Sequence, residues 1–82
     1  METTSPSPAQ EVARTHQAEI LASVTAQYTV PAAELTLLAG ESVESESEPG
    51  SYLFTVVHSA GLYGVYGRPD GNGGYAFLAN QL

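Results

Sequence analysis

The sequence contains no cysteine, no tryptophan and no lysine. Without cysteine there is no disulfide to staple the chain and no thiolate to hold a metal. That absence fits a reducing compartment. The two histidines, His16 and His58, stand far apart and give no metal-ligand spacing. No cofactor is expected. Positive charge is nearly missing as well. Arg14 and Arg68 face nine acidic residues, for a net charge of −7. Phosphate contacts need a basic surface, which argues against direct nucleic-acid binding. Adsorption to an anionic membrane is disfavoured for the same reason. No apolar run approaches the roughly 20 residues of a membrane span. The opening Met1-Glu2-Thr3-Thr4-Ser5-Pro6 has neither a basic nor an apolar signal-peptide region. The expected location is therefore the cytoplasm.

At 82 residues the chain holds one domain at most. Residues 1 to about 8 are Ser, Thr and Pro around one Glu. They bury too little apolar area to offset chain entropy and are expected to be disordered. Ser7-Pro8-Ala9-Gln10 then reads as a helix start. Ser7 suits the N-cap, Pro8 the first helical position and Gln10 a capping box. Val12, His16 and Ile20 follow at helical spacing. Residues 1–19 are thus expected to form a disordered or partly helical arm, and residues 20–82 the folded domain.

From Ile20 the period shifts. Ile20, Ala22, Val24, Ala26, Tyr28 and Val30 alternate with mostly polar neighbours, which predicts a half-buried strand ended by Pro31. Glu34 to Leu38 leads to a turn at Gly40, and Glu41 to Glu48 alternates Ser and Glu around Val43. Pro49-Gly50 closes that stretch as a turn. Tyr52 to His58 is the strongest strand signal. Tyr52, Phe54 and Val56 form one apolar face, and Leu53 and Val57 the other. Such a strand is buried on both sides, or keeps one side for an interface. Leu62 to Gly67 and Tyr75 to Leu78 read as further strands, separated by the turn around Asn72-Gly73. Five strands in so short a chain are expected to close into a small barrel that protects its edges.

Three segments carry a resemblance. Ala26-Gln27-Tyr28-Thr29-Val30 resembles the opening Ala-Leu-Tyr-Asp-Tyr of SH3 domains. Glu34-Leu35-Thr36-Leu37-Leu38-Ala39-Gly40-Glu41 is similar to their Glu-Leu-Ser-Phe-x-x-Gly-Asp. Gly74 to Leu82 looks like the closing Gly-Tyr-Ile-Pro-Ser-Asn-Tyr-Val with one extra residue. The resemblance implies an all-β, SH3-like, five-stranded antiparallel barrel. It does not extend to the aromatic shelf that binds proline-rich peptides. Of that shelf only Tyr28 is present. Val30, Leu78 and Gln81 replace the second tyrosine, the proline and the last tyrosine, and the chain has no tryptophan.

Nothing in the sequence points to catalysis. No serine sits in a nucleophile elbow, and the acidic residues form no evident acid–base pair. Asp70-Gly71-Asn72 echoes the start of a calcium loop, but Gly74 stands where a ligand is needed. Ser45 and Ser47 lie among acids, a setting for acid-directed phosphorylation, and the acidic run reads equally as a solvated loop. The expected function is protein–protein interaction through aromatic and acidic residues: Tyr28, Tyr52, Phe54, Tyr63, Tyr66, Glu44, Glu46 and Glu48. A basic partner surface would be attracted, and a homo-oligomer is a further option. Two alternatives stand beside this one. An acidic inhibitor of the immunity, antitoxin or nucleic-acid-mimic kind would block a basic partner. Tyr28-x-x-Pro31 is also similar to a leader motif of lasso-peptide precursors, which implies a precursor of a modified peptide.

Overall fold

The computed structural model describes residues 7–82, so most of the stretch expected to be disordered lies outside the described residues. The helix start falls where the sequence places it. Helix α1 spans Pro8–Thr15, and the Ser7 hydroxyl accepts from the Gln10 amide at 3.3 Å. The Gln10 side chain does not complete the capping box. It donates instead to the Gly40 carbonyl at 3.3 Å and ties the helix to a distant turn.

The strand expected over residues 20–30 is a helix. Helix α2 spans Gln17–Tyr28. An alternating pattern contains every fourth residue, and a helix uses that subset. Ile20 and Val24 are fully buried, whereas Ala22 and Ala26 are exposed. The residues between them are mostly good helix formers. α2 ends at Thr29, which has φ 59° and donates its amide to the Thr25 carbonyl at 2.9 Å. That left-handed position usually carries glycine, and Pro31 blocks continuation.

The rest is one antiparallel sheet. β1 is Thr36–Leu37, β2 Val43–Glu44, β3 Tyr52–His58, β4 Gly61–Pro69 and β5 Tyr75–Gln81. The order is β1-β3-β4-β5, with β2 also on β3. β1 pairs with the C-terminal half of β3 and β2 with its N-terminal half, so the two short strands share one edge. Two tight turns join the long strands. Ser59-Ala60 separates the paired His58 and Gly61. At the other hairpin the Asp70 carboxylate accepts from the amides of Asn72 and Gly74, and Gly71 and Gly73 supply the positive φ angles.

The expected all-β barrel is therefore replaced by an α+β arrangement. The sheet is open, with β1 and β2 at one end and β5 at the other. Both helices lie on one face of it, and a single core joins them. Ala9, Ala13, Ile20 and Val24 from the helices meet Tyr52, Phe54, Val56, Tyr63, Val65 and Ala79 from the sheet. Each fully buried large aliphatic or aromatic side chain stabilises by about 1.5–3 kcal/mol.

At Gly67 the core leaves no room for a side chain. This residue lies opposite Phe77 on β5 and Tyr52 on β3. A Cβ there would stand 2.8 Å from the Phe77 ring and 3.0 Å from the Phe54 ring. Gly67→Ala is expected to destabilise by about 1–3 kcal/mol through overpacking, measured as a lower urea midpoint. Thr29→Gly is expected to do the opposite. Relief of the left-handed φ should stabilise by up to about 1 kcal/mol and so raise the urea midpoint.

Candidate interaction surface

Successive strand residues point to opposite faces, so the register sorts every sheet residue. Tyr52, Phe54, Val56, Tyr63, Val65, Gly67, Phe77 and Ala79 share the helix-covered face. The pairing Val43–Leu53–Tyr66–Leu78 lies on the other face, as does the pairing Val57–Leu62. Leu82 continues that second row. Its amide donates to the Leu62 carbonyl at 2.9 Å, and its side chain lies over Gly64.

No described helix covers this second face. The exposed large hydrophobic residues among those described are Val43, Leu53, Leu62, Leu78 and Leu82, between 43 and 73 % exposed. All five lie on it. Clustering of this kind, rather than single exposed leucines, marks interaction surfaces.

An acidic loop borders the Val43–Leu53 corner. The Ser45 amide donates to the Ser51 carbonyl at 2.8 Å, and the Ser45 hydroxyl accepts from the Glu48 amide at 3.3 Å. Glu44 accepts from the Gly50 amide at 3.0 Å. Glu48 accepts from the Tyr66 hydroxyl and, at 3.5 Å, from the Arg68 guanidinium. Glu46 has no side-chain partner among the described residues. Between loop and sheet lies an open cleft of about 580 Å3, lined by Val43, Glu44, Ser45, Glu46, Ser47 and Leu53.

The structure divides the eight residues expected to meet a partner. Tyr66, Glu46 and Glu48 do lie together, at the border of the open face. Glu44 is opposite Tyr52, so its side chain starts on the helix-covered side, where the Gly50 amide holds its carboxylate. Tyr52, Phe54 and Tyr63 do not reach it. They are buried under the helices, 8 % exposed or less. Tyr28 is also structural. Its ring packs on Tyr63 at a centroid distance of 4.9 Å, and its hydroxyl accepts from the Gln81 amide at 2.8 Å. That bond pins the end of α2 to the end of β5. The sequence reading missed Val43, Leu62, Leu78 and Leu82. The available signal was the apolar second face of Tyr52–His58, which carries Leu53 and Val57.

The remaining candidates have local roles. The Asp70 carboxylate organises its own turn. His58 pairs with Glu34 at 2.9 Å and His16 with Glu19 at 2.7 Å. The His16 ring also meets Tyr75 edge-on, at 5.2 Å between centroids. Among the described residues no group of three or more His, Cys, Asp or Glu is placed to hold a metal. No described helix is long and apolar enough to cross a membrane.

No protein-family model, curated protein or solved structure matches the chain. The surface is therefore read from its own geometry.

Tyr52 gives this region a pH signature. Burial raises its phenol above the ordinary value, with smaller contributions from Tyr75 and from Glu44. A raised folded pKa means that the folded state keeps its proton longer than the unfolded chain. The associated stability is complete below the unfolded value of about 10 and is lost as pH rises through the folded one. Stability should fall above about pH 10, and Tyr52→Phe should flatten that fall, as read from urea midpoints at increasing pH.

Proposed function

We propose that this chain is a non-catalytic protein-interaction module that docks a partner on the open face of its sheet. The observation that carries the reading is the gathering of Val43, Leu53, Leu62, Leu78 and Leu82 on the one face that no helix covers. The partner is a protein surface with an apolar centre and a basic rim. Its apolar centre matches the leucines, and its rim matches the loop that carries Glu44, Glu46 and Glu48. A second copy fits less well, because each copy brings a net charge of −7 to the contact.

The same loop supports a second reading, in which the chain is an acidic inhibitor held on a basic site mainly by charge. The two readings differ in salt dependence. Contacts on an apolar face persist from about 0.15 M to about 1 M salt, whereas exposed charge pairs are screened.

The test is a pull-down at both salt concentrations with the wild-type chain, with Leu62→Ser/Leu78→Ser and with Ala22→Ser on the exposed side of α2. A partner retained at high salt by the wild type and Ala22→Ser, and lost by the double variant with unchanged circular dichroism, is the expected result. Equal capture by the double variant, or no capture by the wild type, refutes docking on this face. Loss by all three at high salt selects the inhibitor reading.

A further inference from the structure

Resting on that reading, we propose that the cleft between the acidic loop and the sheet seats a long basic side chain, arginine or lysine, presented by the partner between apolar residues. Val43 and Leu53 are cross-strand partners on the open face and form one side of the cleft. Glu46 lines it from the loop, and Glu44 borders it from the end of β2 with its carboxylate held by the Gly50 amide. A basic side chain has both halves of this chemistry. Its aliphatic stem covers apolar surface while its charged head reaches a carboxylate.

The charge distribution selects the same occupant. Arg68 is the cation that Glu48 already holds, and Arg14 lies on α1. The chain has no lysine, so it has no third side chain of this type to fill the cleft. Glu46 is thus an exposed carboxylate without a side-chain partner among the described residues, beside an apolar corner that is itself half exposed. The cleft is continuous through Leu53 with Tyr66 and Leu78. A segment whose apolar residues lie on that row brings its basic residue to the loop.

The probe is the capped tripeptide acetyl-Leu-Arg-Leu-amide, titrated into the full chain with amide shifts followed by NMR. Its neutral control carries citrulline in place of arginine. Millimolar binding is expected for so small a ligand, with shifts confined to residues 43–47 and 53. Citrulline should weaken binding by about tenfold or more. Glu46→Gln should match that loss, whereas Glu11→Gln, the same charge change on exposed α1, should not. The Glu46→Gln variant guards against a folding defect, because the Glu46 side chain makes no hydrogen bond or ion pair among the described residues. No shift at the cleft, or equal shifts with citrulline, overturns the inference. The docking reading fails separately, when Leu62→Ser/Leu78→Ser leaves the partner bound.

Discussion

The structure depends on the packing of α2 against one face of the sheet. Ile20 and Val24 seal Phe54, Val56 and Val65 from water, and these five are the largest fully buried side chains. A chain with neither disulfides nor a metal cluster among its described residues has this core as its main source of stability. The secondary contacts serve the same packing. The Tyr28 hydroxyl holds the end of α2 on β5, the Gln10 amide holds α1 on the turn at Gly40, and the His16 ring fills the helix junction against Tyr75.

The two helices cover one face, and the face they leave is the proposed interaction surface. A sheet in water tolerates one solvated side if that side is polar. Here its middle row is Thr55, Gly64 and Asn80, but the rows on either side are apolar. The consequence is a surface with a driving force for association. The acidic loop at its corner adds negative charge, which opposes non-specific association and would favour a basic partner. Glu48 contributes mainly inside the chain, tied to Tyr66 and Arg68. Glu44 holds the Gly50 amide, and Glu46, without a side-chain partner among the described residues, lines the cleft.

Much of this was legible in the residues. The helix start at Ser7-Pro8, the strand over Tyr52–His58, the turn at Asp70–Gly74 and the two-sided apolar pattern of the central strand all follow from local chemistry. The reading of Ile20 to Val30 as a strand went astray because a two-residue period and a four-residue period share Ile20, Val24 and Tyr28. With Ala at 22 and 26, which fits either face, nothing local separates the two. The aromatics misled for a related reason. Aromatic residues serve cores and interfaces alike. Tyr52 and Tyr66 both lie on strands of this sheet, yet one is buried under the helices and the other borders the open face.

By itself the sequence determined the charge, the lack of staples, the position of the turns and the alternation along each strand. These are properties of single residues and their near neighbours. Only the tertiary structure decided which side of the sheet the helices cover. That choice rests on packing between segments far apart in the chain, with Ile20 and Val24 of α2 in one buried cluster with Phe54 and Val65 of the sheet. Once it is made, strand parity assigns every residue. Tyr52, Phe54 and Tyr63 go inward, and Val43, Leu53, Leu62 and Leu78 remain available to a partner.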